Sequence, residues 1–184
     1  MSTPMPPGAR LDAPPPGFVS FCMRFKDQCA SAASEPDILP LNSPTWSELT
    51  AINARVNDAI WPEDDKLKYG RAEFWTIPTD GYGDCEDYAL TKRKLLAEAG
   101  LPRRALRIAI VITRRNNRHA VLTIATDKGD FVLDNQTDNI LPWKDTGYTW
   151  ISRQDARDDW GWVALGGPRP YLVAGTASSP AAAR

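Results

Sequence analysis

The 184 residues suffice for a single domain with its own hydrophobic core, and a hydrophobic content of 42% is ordinary for a globular protein. The formal net charge of −1 offers no electrostatic basis for binding nucleic acid or an anionic membrane. No stretch approaches the roughly 20 consecutive apolar residues of a membrane span, so we expect no nucleic acid partner and no direct membrane insertion.

The chain starts with a segment that is rich in proline. Residues 1–17 are predicted to form an extended lead. They lack the apolar core of a signal peptide. The sequence therefore leaves two alternatives, namely a cytoplasmic protein or a mature form whose numbering begins at an added methionine.

Cysteine usage bears on these two alternatives. Cys22 and Cys29 lie on one short stretch and can close a disulfide if their geometry allows it. A disulfide would indicate an oxidising compartment and favour the mature form, which we expect to be periplasmic. Two buried free thiols are the other interpretation. A zinc site is disfavoured because the single histidine is better used elsewhere.

The next stretch predicts a helix followed by irregular chain. Ser43 is predicted as the N-cap, with Pro44 in the first turn and Pro62 beyond the end. Residues 61–70 are predicted to be a charged loop. Residues 71–78 are short and aromatic, and we expect them to pack beneath the turn that follows. Apolar positions recur every three or four residues on one face of the helix, at Trp46, Leu49, Ile52 or Asn53, Val56 and Ile60.

A glycine-rich turn leads directly into a second helix, predicted over residues 84–99, with Cys85 at the junction. Gly100 is predicted as its C-terminal cap, and Pro102 prevents its continuation. The first turn of a helix presents free N–H groups and the positive end of the helix dipole, both of which favour a thiolate. This position is typical of a nucleophilic cysteine, and a structural, half-buried thiol is the alternative.

Three strands are predicted after this helix, over residues 106–112, 119–126 and 130–134. A tight turn joins the last two strands, so the start of one should lie beside the end of the other. We therefore expect His119 and Asp134 to be adjacent.

A nucleophilic cysteine needs a base, and the base needs a group that holds its tautomer. With one histidine in the sequence, Cys85, His119 and Asp134 are the candidates for nucleophile, base and orienting group. The alternatives are a structural thiol, a histidine that merely begins a strand and an aspartate that bonds its own turn.

The remaining sequence completes one predicted domain over residues 18–173 and a small, polar, disordered tail over residues 174–184. Residues 140–150 are expected to add a strand. Most of the 7 tryptophans should pack in the core or at its rim. Trp75 and Trp160 could instead line an apolar cleft for a peptide.

These motifs resemble the bacterial transglutaminase-like cysteine proteinases, whose LapG-type branch comprises periplasmic proteases of biofilm adhesins. The resemblance implies a papain-like or transglutaminase-like α+β fold. In that fold, N-terminal helices precede a central helix packed on an antiparallel β-sheet. It also implies a cysteine protease that uses a Cys-His-Asp triad and a thioester acyl-enzyme. The resemblance covers roughly residues 46–162 and is carried by the runs 83–89, 119–122 and 133–135, with Lys92, Leu95 and Gly100.

The same resemblance implies partners. The substrate would be a protein, namely the N-terminal region of a large repeat adhesin cut at a small-residue site, and a regulator at the inner membrane would be a second partner. Two rival hypotheses remain open. A transglutaminase or amidase would use the same triad with another acceptor, and a periplasmic binding module would keep the fold without turnover.

Acidic residues surround the candidate nucleophile. The charges of Asp84, Glu86 and Asp87 oppose a thiolate, and a bound cation would remove that conflict. Carboxylate oxygens suit Ca²⁺, and the resemblance implies Asp84 and Glu86 as calcium ligands. The alternative is that these acids stabilise the helix N-terminus, which Asp87 is expected to do under either interpretation. The attack of Cys85 on a carbonyl group would produce an oxyanion, and the backbone N–H of Cys85 is the natural first hydrogen-bond donor to it.

Overall fold

The computed structural model describes residues 2–8 and 10–166. None of the helices formed by these residues combines the length and apolar character needed to cross a lipid bilayer. The end of the predicted domain and the predicted tail over residues 174–184 lie outside the described residues. The helices are Pro16–Arg24 (α1), Lys26–Cys29 (α2), Ser43–Ala59 (α3), Asp65–Tyr69 (α4) and Cys85–Glu98 (α5).

The strands form one large sheet and one small pair. The large sheet contains Leu11–Asp12 (β1), Leu106–Ile112 (β4), Arg118–Thr126 (β5), Gly129–Leu133 (β6), Leu141–Pro142 (β7), Thr149–Gln154 (β8) and Trp162–Ala164 (β9). Its order is β1-β9-β8-β4-β5-β6-β7, and every pairing in it is antiparallel. Trp61–Pro62 (β2) and Tyr82–Gly83 (β3) form a separate parallel pair. The predicted α+β fold, with helices before an antiparallel sheet, is confirmed.

The central helix α5 packs across one face of the large sheet, where buried apolar side chains hold it. Leu90 and Leu96 of α5 share a core with Ile108 and Leu122 of the sheet. Burying each such leucine contributes about 1.5–3 kcal/mol. β4 has a neighbouring strand on each side, and its Val111 lies in a second core on the opposite face. This burial explains why the apolar run of β4 is continuous rather than alternating.

The disulfide joins Cys22 of α1 to Cys29 of α2, and both side chains are buried. A carbonyl oxygen within this loop accepts a hydrogen bond of 2.9 Å from Arg93 on α5. Arg24 of the same loop donates a hydrogen bond of 2.5 Å to the carbonyl oxygen of Trp75. The disulfide loop is therefore tied both to the central helix and to the segment that carries Trp75.

The start of α3 differs by one residue from the prediction. Its N-cap is Asn42 rather than Ser43, because the Asn42 side chain accepts a hydrogen bond of 2.9 Å from the backbone N–H of Thr45. Asparagine and serine cap helices about equally well, so adjacent candidates are not separated by residue type. The helix ends at Ala59, and Pro62 lies beyond that end as predicted.

The prediction of a charged loop over residues 61–70 is wrong, because this stretch contains β2 and α4. Asp64 caps α4 by accepting a hydrogen bond of 2.8 Å from the backbone N–H of Lys66. Gly70 ends the helix with a φ of 67°. The resulting helix has 5 residues, which is too short for apolar residues to recur at the helical spacing. Its first residue, Asp65, is buried.

The proline-rich start of the chain packs against the sheet. β1 pairs with β9, and Met5 is buried in the core on the face of the sheet opposite α5. α1 begins at Pro16, within the range that the composition predicts as a lead. Gly17 lies so close to the Trp75 indole that a Cβ there would approach it within 2.2 Å. The start of the chain thus forms part of the surroundings of Trp75.

The disulfide should contribute measurably to stability, because a cross-link restricts the unfolded chain. For so short a loop the expected contribution is about 2 kcal/mol, which corresponds to a melting temperature lower by about 5 °C when it is removed. We compare Cys85→Ala with the triple variant Cys85→Ala/Cys22→Ala/Cys29→Ala by calorimetry. Equal melting temperatures of the two variants would contradict this prediction.

Candidate active site

Cys85 is the first residue of α5, and the turn before it brings the chain close to the helix. Gly81 has a φ of 82°, and a Cβ added at Gly83 would lie 2.6 Å from the Asp87 carboxylate. A larger residue would be strained at the first position and would clash at the second. As the first helical residue, Cys85 has a backbone N–H without an intrahelical acceptor.

The Cys85 sulfur lies between α5 and β5. It accepts a hydrogen bond of 3.4 Å from the backbone N–H of Ala120 and donates one of 3.1 Å to Oε2 of Glu86. Burial raises the pKa of the Cys85 thiol, and the charges of Glu86 and Asp84 raise it further. These surroundings favour the thiol over the thiolate, and one backbone donor is directed at the sulfur.

His119 is held by Asp134 as predicted, and a tyrosine that the sequence did not suggest joins them. Nε2 of His119 lies 2.8 Å from Oδ1 of Asp134, and both side chains are buried. The Tyr148 hydroxyl donates a hydrogen bond of 2.6 Å to Oδ2 of Asp134, and its ring lies edge-on to the imidazole at 5.9 Å. Burial alone would raise the pKa of Asp134, but the bonds from His119 and Tyr148 lower it overall.

One cleft of about 250 Å³ brings the candidate residues together. Cys85 and His119 both line it, while Asp134 contacts the imidazole through Nε2. Because Nε2 is used in this way, Nδ1 is the ring nitrogen that remains for the cysteine. Trp75 lines the cleft as the sequence suggested, whereas Trp160 is not among its lining residues. The other lining residues are Asp64, Ala72, Glu73, Asp84, Glu86, Ile110, Arg118 and Ala120.

Three carboxylates form a cluster beside the sulfur, with oxygens that all lie within 4.8 Å of one another. Asp84 and Glu86 were expected here, and Asp65 is added by α4. Burial is the largest cause that raises the pKa of each of the three carboxyl groups. Oδ1 of Asp65 and Oδ1 of Asp84 are buried and have no hydrogen-bond partner among the described residues. Buried, unpartnered carboxylate oxygens fit a hard cation such as Ca²⁺.

Asp65 was missed because it lies in the stretch that was predicted to be a loop. The signal was present, since Asp64 and Asp65 precede a short charged run that ends at a glycine. An aspartate followed by such a run is a helix-start pattern. Recognising the helix would still not have shown that its first residue turns inward.

Asp87 lies in the first turn of α5, and its side chain also forms a hydrogen bond outside the helix. Its Oδ1 accepts a hydrogen bond of 2.8 Å from the backbone N–H of Thr76. Burial raises the pKa of Asp87 to about 8, although the bond from Thr76 opposes this shift. Asp87 thus ties the segment of Trp75 to α5.

Glu73 joins the two walls of the cleft. Its Oε2 accepts a hydrogen bond of 2.9 Å from the indole N–H of Trp75. Its Oε1 forms an ion pair with Arg118, the residue before His119. The wall formed by residues 71–78 is therefore fixed to β5, which carries the imidazole.

The loop after Asp134 is held from the side of α3. Nδ2 of Asn57 donates to the carbonyl oxygen of Asp134 at 3.0 Å, and Nδ2 of Asn53 donates to that of Asp138 at 3.0 Å. Lys92 of α5 is also buried, and burial lowers its pKa to about 7 while the charges of Asp134 and Asp138 oppose this shift. The two asparagine hydrogen bonds hold the backbone of the loop that begins at Asp134.

Known proteins show the same combination of sequence and fold. The family model for bacterial transglutaminase-like cysteine proteinases matches residues 9–169. Among curated proteins, none matches the chain in sequence.

Three solved structures of LapG from Legionella pneumophila are similar to this chain. The calcium-bound form is 25% identical, with a TM-score of 0.58, and the match covers 70% of this chain and 74% of that one. The EGTA-treated form is 26% identical, with a TM-score of 0.54 and coverage of 61% and 64%. A further LapG structure is 26% identical, with a TM-score of 0.57 and coverage of 67% and 71%.

Proposed function

The chain belongs to the family of bacterial transglutaminase-like cysteine proteinases and is a cysteine peptidase; we propose that it hydrolyses a peptide bond with Cys85 as nucleophile, His119 as base and Asp134 as orienting group. The observation that carries this proposal is the shared cleft. The cleft is lined by Cys85, the one cysteine outside the disulfide, and by His119. Nε2 of His119 is hydrogen-bonded to the buried carboxylate of Asp134.

In the first half of the reaction, Nδ1 of His119 takes the proton from the Cys85 sulfur. The thiolate attacks the substrate carbonyl carbon, and negative charge moves to the carbonyl oxygen. The free N–H of Cys85 at the helix start is the donor available to that oxygen. His119 then gives its proton to the amine that leaves, and a thioester remains on Cys85.

In the second half, His119 removes a proton from water, and the resulting hydroxide attacks the thioester carbonyl. The C–S bond breaks, the carboxylic acid product leaves, and the proton returns to the sulfur. Throughout, Asp134 accepts a hydrogen bond from the Nε2–H of His119 and stabilises the imidazolium that forms in each half. Tyr148 keeps the carboxylate in place and does not exchange a proton.

We further propose that Asp65, Asp84 and Glu86 hold a calcium ion. The orphaned oxygens of the cluster support this proposal, and so do the calcium-bound and EGTA-treated forms of the similar LapG. Three carboxylates do not complete the 6–8 oxygens that calcium takes, so backbone carbonyls and water would complete the shell. When bound, the ion would offset the negative charge next to Cys85.

We propose a periplasmic location and a protein substrate. The disulfide supports an oxidising compartment. Family resemblance supports the N-terminal region of a repeat adhesin, cut at a small-residue site, and an inner-membrane protein that regulates the enzyme. The open cleft would admit an extended peptide, because its walls come from separate segments on either side of Cys85.

The triad assignment predicts graded losses of activity. Cys85→Ala and His119→Ala should abolish cleavage, and Asp134→Asn should lower kcat/KM by about 10³-fold or more, because the imidazole loses its correct tautomer. The assay is hydrolysis of fluorogenic peptides with a central Ala-Ala pair. Asp145→Asn, at an exposed position, is the matched control and should retain full activity. Full activity of Asp134→Asn would refute the orienting role, and an isopeptide as the main product with an added amine would refute hydrolysis.

Tyr148→Phe should reduce kcat/KM by about tenfold and lower the melting temperature by several degrees. The variant removes one hydrogen bond to the Asp134 carboxylate, and a bond to a charged group is worth about 1.5–3 kcal/mol. Because the carboxylate is then more easily protonated, the acidic limb of the pH–rate profile should move to higher pH. Tyr82→Phe, at an exposed tyrosine, serves as the control. Unchanged kinetics with an unchanged pH profile would show that Tyr148 only packs.

Calcium should raise the melting temperature of the wild-type protein, and EGTA should reverse the shift. At a concentration 100 times its Kd, a ligand that binds only the folded state contributes about 2.7 kcal/mol, or about 5–10 °C for a chain of this size. Asp65→Asn and Asp84→Asn should each lose most of the shift, whereas Asp58→Asn, at an exposed acid on α3, should retain it. An undiminished shift in Asp84→Asn would place the ion elsewhere.

A further inference from the structure

A second cavity adjoins the catalytic cleft, and none of the triad residues lines it. It measures about 290 Å³ and is mostly apolar. We call it the proline pocket, after the segment that forms one wall. Its lining residues are Asp12, Ala13, Pro14, Pro15, Pro16, Ile110, Ile151 and Ser152.

The proline pocket lies next to the catalytic cleft, and the two cavities share one lining residue. Ile110 lines both cavities. In the sheet, Ile110 pairs with Ala120 on one side and with Ser152 on the other. Ala120 is the residue whose backbone N–H contacts the Cys85 sulfur. Ala120, Ile110 and Ser152 therefore form a row of paired residues across three strands of the sheet. The row runs from the strand beside the Cys85 sulfur to the proline pocket.

The far wall of the pocket is also joined to the cleft. Pro16 is followed by Gly17, which packs directly against the indole of Trp75. Trp75 in turn lines the catalytic cleft. Phe18 supports this contact, with its ring edge-on to that of Trp75 at 6.0 Å. The proline segment is thus joined to the cleft wall by buried contacts.

Chemically, the two cavities differ. The catalytic cleft is lined by several carboxylates and by Arg118, whereas the proline pocket is lined mainly by prolines and isoleucines, with Asp12 as its one charged residue. Proline has no backbone N–H and a fixed φ, so the three prolines of this wall donate no hydrogen bond to a substrate backbone and are restricted before binding. Such a pocket selects for an apolar side chain by shape and burial rather than by hydrogen bonds.

From this adjacency we infer that the proline pocket is a specificity site, which binds one large apolar side chain of the peptide whose bond Cys85 cleaves. The inference rests on the proposed function and adds a sequence requirement to it. Neighbouring strands are spaced about 4.8 Å apart, and the pocket residues Ile110 and Ser152 lie one and two strands away from Ala120. The pocket therefore lies about 5–10 Å from Ala120 across the sheet. An extended peptide advances about 3.3 Å per residue, which places the apolar residue about two or three positions from the scissile bond.

The test is a library of fluorogenic peptides with a central Ala-Ala pair, in which each flanking position carries Leu, Phe, Gly or Asp. We expect kcat/KM to be at least tenfold higher for Leu or Phe than for Gly or Asp at one position two or three residues from the cut. Ala13→Trp, which places an indole at the exposed rim of the pocket, should reduce this ratio to nearly one. Ala51→Trp, at an exposed alanine of α3, is the control and should keep the ratio.

A wild-type enzyme that shows no such preference would overturn the inference, and so would a preference that survives in Ala13→Trp. A binding measurement separates this inference from the proposed function. In the Cys85→Ala background, fluorescently labelled Leu peptides should bind at least tenfold more tightly than Gly peptides, and Ala13→Trp should remove the difference. If cleavage fails but this binding holds, the hydrolase proposal falls and the pocket stands. Equal binding of both peptides overturns the pocket.

Discussion

The contact between the first residue of α5 and the backbone of β5 determines the rest of the site. It places the Cys85 sulfur 3.4 Å from the Ala120 N–H, one residue from His119. This contact exists because the apolar face of α5 is buried against the sheet, so the helix cannot slide or rotate without exposing its leucines. The helix start, with its free N–H groups and its dipole, is therefore held where a peptide carbonyl would have to react.

A second constraint opposes the first. Buried carboxylates surround the thiol, and with burial they raise the pKa of Cys85 rather than favour a thiolate. Carboxylates without partners in such a place are costly unless they are protonated or bind a cation. The cluster of Asp65, Asp84 and Glu86 thus links the chemistry of the nucleophile to whatever ion the cluster binds.

Segments far from the triad in sequence build the walls of the cleft. The disulfide loop contacts both α5 and the carbonyl oxygen of Trp75, and Asp87 and Glu73 connect the Trp75 segment to α5 and β5. The start of the chain adds the proline segment beside Trp75. Substrate selection would therefore depend on residues that take no part in the chemistry. A change in the disulfide loop should alter the cleft through the same contacts.

Local patterns were sufficient for the central helix, for β4 to β6 and for the pairing of His119 with Asp134. These depend on short-range signals, namely a glycine turn before a helix, a buried apolar run and a tight turn that brings the ends of two strands together. The roles of Tyr148 and Asp65 were not predicted, because the sequence around each residue carries no pattern that indicates its role. Their side chains meet the triad and the acid cluster only after the sheet has closed and α4 has packed. The bond from Nε2 of His119 to Asp134 and the position of Ile110 between two cavities also depend on packing between distant segments. Residue spacing along the chain does not indicate such packing.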